Sequence, residues 1–391
     1  MDLGGADSIL KAGSGGSSRS QGGELDFIAG DVLNERICVS SRLGSGAFGA
    51  VYMARDKVNG INVAVKVQRA GQRHSRVARD EINLLALTRR AGAAAARTPA
   101  ARMGFPTGAD NVVELHGAFT ISGPKGRQVC VALELLGPSL LDLMKDYGYG
   151  GVPVAAVKAV TRDVLKGLQF LHQRCSIIHT DIKPENILLK PLAPGGVTAW
   201  WGRHGESSVG LERGWAKGDA FRAKVVDLGN ACVQGKEYTG DIQTVEYRAP
   251  EVILAAGYDT TADVWSLACM VFELITGEYL FDPHQGTDSA GAVTYTKDED
   301  LLALHQELLG PLPPSLLTRG RLTFSMVHPD GRPKRIPGEL KPWGLADVLS
   351  DKYGMARGDA RELAAFLKPM LELEPTKRAS AKDMLGHAWL R

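Results

Sequence analysis

From about Ile37 the chain runs in short stretches rich in β-branched residues, 37–43, 50–55 and 62–67, separated by glycine-containing turns. That pattern predicts an antiparallel meander. Over 75–90 the apolar positions Val77, Ile82, Leu85 and Ala86 recur at helical spacing around Glu81, which predicts a helix. Two further strand-like runs, 112–121 and 128–135, follow. Beyond them helical periodicity dominates, most clearly over 154–173 and 261–274. The expected class is α+β, with a small β-rich lobe at about 31–136 and a larger helical lobe at about 137–391.

Three segments break this pattern. Residues 1–24 hold seven Gly and five Ser, too little apolar surface to offset the entropy of ordering, so a disordered tail is expected over 1–30. The Ala, Gly and Pro-rich stretch 91–110 reads as a surface loop rather than one continuous helix. The insertion at 191–222 holds seven Gly together with Trp200, Trp201 and Trp215. It separates NILLK from AKVVDLG, two apolar runs that would pair as a hairpin with the insertion looped out. Its tryptophans would dock on the larger lobe or meet a partner.

Composition narrows the classes. Of 391 residues, 44% are hydrophobic and 23% charged, close to globular averages, which excludes a wholly disordered or fibrous chain. The net charge of +2 supplies no global field for nucleic acid or an anionic membrane. The short basic run Arg332, Lys334, Arg335 and Lys341 beside Trp343 reads as a solvated or docking segment, so no direct nucleic-acid partner is expected. No stretch approaches the ~18 apolar residues of a membrane span, and the N-terminus lacks a signal-like apolar core. A soluble, intracellular protein with no membrane partner is expected. Cys38, Cys130, Cys175, Cys232 and Cys269 form no CxxC pair and read as reduced thiols.

Candidate chemistry begins at Leu43–Val51, LGSGAFGAV, which fits G-x-G-x-x-G-x-V between two predicted strands. Gly44, Gly46 and Gly49 would let backbone N–H groups approach phosphate oxygens. VAVK then places Lys66 two strands on, with its amine available for the α and β phosphates, and Glu81 on the helix 15 residues later would hold that amine. In HTDIKPEN, Asp181 offers a carboxylate to orient and deprotonate an attacking hydroxyl, Lys183 a charge for the transferring phosphoryl group, and Asn186 a metal ligand. Asp227 of DLG supplies the second ligand for Mg²⁺. Ala249-Pro250-Glu251, Asp263 in DVWS and Arg378 in PTKRAS complete the protein-kinase pattern.

That resemblance implies the bilobal protein-kinase fold with ATP in the cleft, Glu251 paired with Arg378, and Asp263 receiving backbone donors of the catalytic loop. It also implies nucleotide contacts from Leu43, Val51, Ala64, Glu134, Leu136 and Leu188, besides the three glycines and Lys66. From about 112 to 390 the chain resembles the SR-protein kinases, which phosphorylate serines in Arg-Ser repeats of splicing factors. The likeness rests on ELLGPSLLDLM, IIHTDIKPENILL, VVDLGNAC, DIQTVEYRAPEVI, ADVWSLACMVFELITGEYLF, YTKDEDLLALHQELLG and KPWGLADVL. Thr180 stands where most kinases have Arg, and Leu228 where most have Phe. Without that Arg there is no cation for an activation-segment phosphate, so the resemblance implies a constitutively competent enzyme. Thr244 matches the threonine that bonds near the catalytic Asp and Lys of serine/threonine kinases.

The resemblance further implies Arg/Ser-rich substrates, a monomer, and distribution between cytoplasm and nucleus. Glu278, Asp300 and Glu307 match the family's docking carboxylates, with Asp282 and Asp298 as neighbouring candidates. Val245 and Glu246 replace an Arg and a polar residue common in the family near the acceptor. A LAMMER-type kinase would carry EHLAMMER about where this chain has DEDLLALHQELLG. A pseudokinase scaffold would lose Lys66, Asp181, Asn186 or Asp227, and all four are present.

Overall fold

In the computed structural model the described residues are 10–12, 19–21, 24–46, 49–104, 107–123, 126–191, 197, 221–236 and 241–391. Trp200, Trp201 and Trp215, and with them the expectation of docking by the insertion, lie outside these. The chain divides into a first unit of residues 1–139 and 188–231 and a second of 140–187 and 232–391.

The first unit is built on strands β1 (Leu10–Ala12), β2 (Arg19–Gln21), β3 (Glu24–Asp26), β4 (Val32–Leu33), β5 (Ile37–Gly46), β6 (Gly49–Asp56), β7 (Ile61–Gln68), β8 (Leu115–Gly123) and β9 (Gly126–Glu134). Seven of them form one sheet in the order β1-β8-β9-β7-β6-β5-β4. The period of two along β7 divides its side chains between the two faces. Val63, Val65 and Val67 join the core with Tyr52, Ile121 and Cys130, while Ala64 and Lys66 fall on the other face. Residues 24–30 are not part of the expected tail. Leu25 and Phe27 are buried in this core, and Tyr52 Oη donates to Asp26 Oδ1 at 2.8 Å. Two apolar side chains with a sheet to cover are enough to order the segment. Further out, Leu10–Ala12 adds parallel to β8, in register with Ala118–Thr120.

Helix α1 (Gln72–Ala95) extends the expected helix into the supposed loop. Its last turn is the alanine-rich run after Arg90, and alanine's helix propensity outweighs one interior glycine. The chain breaks only at Thr98, whose hydroxyl caps a short helix over Pro99–Arg102. Strands β10 (Ile177–Ile178), β11 (Ile187–Pro191), β12 (Phe221–Val225) and β13 (Cys232–Val233) follow. β11 and β12 pair as the two apolar runs predicted. This hairpin belongs with the first unit, which moves the boundary from the expected 136/137. Its backbone explains why: Val113 N donates to Val225 O at 3.0 Å, and Gly137 N to Leu189 O at 2.8 Å.

The second unit is helical, with α2 (Val154–Phe170), α3 (Thr261–Thr276), α4 (Lys297–Leu309) and α5 (Arg357–Leu367). Helix α3 is apolar around most of its circumference and buried along its length, as a central helix must be. Two charged residues are set into this core. Arg378 and Glu251 are both fully buried and paired fork to fork at 2.6 and 2.8 Å. Arg378 also donates to the carbonyl oxygens of Thr261 and Glu372, so its burial leaves few unmet donors. Among the described residues, no helix is long and apolar enough to cross a membrane.

Candidate active site

The candidate side chains fall into two groups, one in each unit. In the first, β7 delivers Lys66 and α1 delivers Glu81. Lys66 Nζ lies 3.0 and 3.1 Å from the Glu81 carboxylate oxygens and 2.9 Å from Asp227 Oδ1. Burial opposes a charge here, but the two carboxylates outweigh it and raise the Lys66 ammonium above its ordinary pKa. It is therefore a fixed cation. Asp227 sits in the left-handed region at φ 62°, and Oδ1 also accepts from Gly229 N, a local turn that holds the carboxylate against the lysine.

The three loop glycines divide by role. Gly49, at φ +148°, crosses β7 so closely that a Cβ would stand 2.0 Å from Val67 O, so packing alone demands glycine there. At Gly44 and Gly46, paired with Val51 and Gly49 across the β5–β6 ladder, a Cβ would meet nothing within 4 Å, so packing does not demand glycine there. Leu43 and Val51 pack against the apolar cluster that includes Ala64, on the face of β7 that bears Lys66. Glu134, expected among the nucleotide contacts, has its carboxylate held by Lys190 at 2.5 Å and Lys224 at 2.6 Å. What it can offer a purine is backbone. Leu136 and Leu188 belong to the same unit, at the segment joining β9 to the second unit and on β11.

In the second unit Asp181 is the point of convergence. Thr244 Oγ1 donates to Asp181 Oδ1 at 2.7 Å, Lys183 Nζ lies 3.0 Å from Oδ2, and Lys183 also donates to Thr244 Oγ1 at 2.9 Å. Asn186 Nδ2 bonds both the Asp181 carbonyl at 2.8 Å and Oδ2 at 3.1 Å. The carboxylate is thus fixed by three partners drawn from two separate segments. Beneath it, fully buried Asp263 accepts from His179 N and Thr180 N at 2.8 Å each, and from His172 Nε2 at 2.8 Å. Thr180, 1% exposed and at φ 70°, has its backbone clamped there and brings no charge to the surface.

The docking candidates fall out less uniformly. Asp300 and Glu307 share α4, half-buried, as their spacing predicts. Each already has a backbone partner: Asp300 Oδ2 accepts from His284 N and Glu307 Oε1 from Lys341 N, both at 2.8 Å. Glu278 accepts from Lys352 Nζ at 2.8 Å and Tyr353 Oη at 2.9 Å, which hold its carboxyl below the usual range. Asp298 is bonded by Arg248, and Asp282 pairs with His284 at 3.9 Å. The basic run is engaged locally, Arg332 with Asp330 and Arg335 with Glu299.

Sequence reasoning missed His172, which braces Asp263, and Gln243, whose side chain bonds Ala262 O, Ser266 Oγ and Ala249 N. It also missed the two lysines on Glu134. Their partners stand many residues away, so no local spacing could have shown them.

Comparison with known proteins matches residues 102–390 to the protein kinase domain. "Serine/threonine-protein kinase SRPK" of Physarum polycephalum is 37% identical over 95% of this chain and 89% of its own length. "SRSF protein kinase 3" of Mus musculus is 30% identical, again over 95% and 89%. "Protein kinase dsk1" of Schizosaccharomyces pombe is 30% identical over 93% and 82%.

Proposed function

The chain belongs to the SR-protein kinase family of ATP-dependent serine/threonine protein kinases, and we propose that it transfers the γ-phosphoryl group of ATP to serines in Arg/Ser-rich proteins. The observation that carries the reading is the fixed carboxylate of Asp181 with Lys183 and Thr244 bonded to it.

In this reading the acceptor hydroxyl donates to Asp181, which orients it and receives its proton as the bond to the γ-phosphorus forms and the bond from that phosphorus to the β,γ-bridging oxygen breaks, releasing ADP. Lys183 offsets charge on the transferring group, and the Thr244 hydroxyl keeps the two in register. Lys66, locked by Glu81, clamps the nucleotide phosphates. The glycine loop at Gly44 and Gly46, where no side chain crowds the approach, cradles them, with Leu43, Val51, Ala64, Leu136, Leu188 and the Glu134 backbone around the purine. The Asp227 carboxylate in the first unit and the Asn186 amide oxygen in the second are each hard oxygen donors that would suit Mg²⁺. Bound Mg²⁺ neutralises phosphate charge. Because Thr180 offers no cation to a phosphate, the reading includes activity without prior modification.

Substrate class is supported by family membership and by the carboxylates Glu278, Asp300 and Glu307, each suited to a guanidinium. The test is purified protein with Mg²⁺ and ATP against an Arg-Ser repeat peptide, a Lys-Ser repeat peptide and a generic basic protein. Strong preference for the Arg-Ser peptide is expected. Equal use of all three would refute the substrate class while leaving the kinase activity intact.

A further inference from the structure

A cavity of about 190 Å³ opens in the second unit, lined by none of the residues assigned above to catalysis or docking. Ile178, Val233 and Val252 give it apolar walls. Glu251 also lines it, but its carboxylate is already neutralised by the Arg378 fork. Lys236 and Arg321 complete the lining; both are exposed, and among the described residues neither side chain has an ion-pair partner. The backbone at Arg321 is held in place, since the next residue, Leu322, donates its N–H to Leu254 O at 3.1 Å. Leu322 is 46% exposed and Phe324, two residues on, 88%. Lys334 Nζ lies 4.4 Å over the Phe324 ring and donates to the Phe324 carbonyl, which adds a third cation to this strip. Two large apolar side chains left in water within three residues, rimmed by unpaired cations, differ from apolar residues scattered singly over a surface.

We infer that this cavity and the strip from Arg321 to Phe324 dock an acidic segment of a partner protein that carries one aromatic side chain. Size selects the occupant. Pockets for cofactors and drug-sized ligands run about 300–1,000 Å³, whereas a cavity of ~150 Å³ holds a benzene ring, so this one takes a single side chain. A free small molecule seated there would leave Leu322 and Phe324 in water, while a chain leading out of the cavity can cover them. Charge selects the flanks of that chain: carboxylates beside the aromatic ring meet the Arg321 fork and the Lys236 ammonium. Ring burial then supplies affinity, and the charges supply orientation and specificity.

The test is fluorescence anisotropy of the full chain with a short labelled peptide in which one Phe is flanked by glutamates, free of Ser, Thr and Tyr so that it is no substrate. Saturable binding that weakens with added salt is expected. Replacing the peptide's Phe by Ala should weaken it about 10-fold or more. Arg321→Glu should weaken it ~10–100-fold, while turnover of a short Arg-Ser peptide stays at the wild-type rate and shows that the variant is folded. Absence of saturable binding to the wild-type chain, or an affinity indifferent to the Phe replacement or to Arg321→Glu, overturns the proposal. Phenylacetate supplies the last arm. If it displaces the peptide as tightly as the unlabelled peptide does, the site takes a small aryl acid and docking of a protein segment is refuted; displacement only at far higher concentration supports the segment.

Discussion

Asp181 shows how one carboxylate is held for chemistry. Its oxygens are already bonded to Thr244, Lys183 and Asn186, so in the proposed reading a substrate hydroxyl would meet an acceptor that needs no reorganisation. Asp181→Ala should cost ~10²–10⁴ in kcat, and nucleotide affinity, which depends on other residues, should stay near wild type by calorimetry. His305 on α4 poses a different problem. It is fully buried between the Trp265 and Phe281 rings, and neither ring nitrogen has a hydrogen-bond partner. Burial, helped by the charge of Arg378, depresses its pKa to about 3. The native state thus refuses a proton that the unfolded chain accepts below ~6.5, and stability falls as pH drops from 6.5 towards 3. The loss is about 2 kcal/mol at pH 5. Glu273, raised to about 7 by burial, acts in the opposite sense between pH 7 and 4.5. The measure is therefore the difference between wild type and His305→Leu: urea unfolding should show the variant gaining relative stability on acidification, and parallel profiles would contradict this.

At the level of elements, α4 joins structure to the proposed docking. Its first turn is fixed by a capping box, Thr296 accepting from Glu299 N while Glu299 reaches back to Thr296 N. Asp300 and Glu307 stand two turns apart along it, and each also anchors a neighbouring backbone N–H. Changing both to Lys should weaken binding of long Arg-Ser substrates several-fold and leave turnover of a short peptide nearly unchanged. Equal effects on both substrates would reduce these carboxylates to local anchors. Thermal melts of the double variant separate the two roles, since loss of anchoring lowers Tm. The β-branched run 62–67 made β7 readable in advance, and the pairing of apolar runs made β11 and β12 readable. The extension of α1 to Ala95 was not, because glycine and alanine in one run argue in opposite directions and alanine is the more numerous.

The helical unit depends on charges that have no water to solvate them. Removing Arg378 leaves Glu251 buried and alone, so Arg378→Leu should destabilise the protein by about 3–5 kcal/mol. Converting both partners to apolar residues should recover most of that loss in calorimetric melts. Resistance of the double variant to recovery would place Arg378's bonds to Thr261 and Glu372, rather than the ion pair, in charge. At the scale of the whole enzyme, Thr180 places a neutral side chain where an Arg would offer a cation to an activation-segment phosphate. Phosphatase-treated protein should therefore keep nearly full activity in a steady-state assay. A large fall, reversed by modification of Tyr238 or Thr239 outside the described residues, would overturn the reading.

Residue type and spacing alone determined the lobe order, the strand that carries Lys66 and the hairpin of NILLK with AKVVDLG, and they singled out Lys66, Glu81, Asp181, Asn186 and Asp227 as candidates. These follow from periods of two and 3.6 and from short motifs whose members act within one loop or one pair of elements. Only the tertiary structure decided which groups meet across long stretches of chain. It brought His172 to Asp263, Lys190 and Lys224 to Glu134, and Leu25 and Phe27 into a core that composition assigned to a tail. The physical reason is that burial and ion pairing depend on distance in space. Two positions tens of residues apart carry no period that announces their contact, and a flexible composition orders wherever an apolar surface waits to be covered.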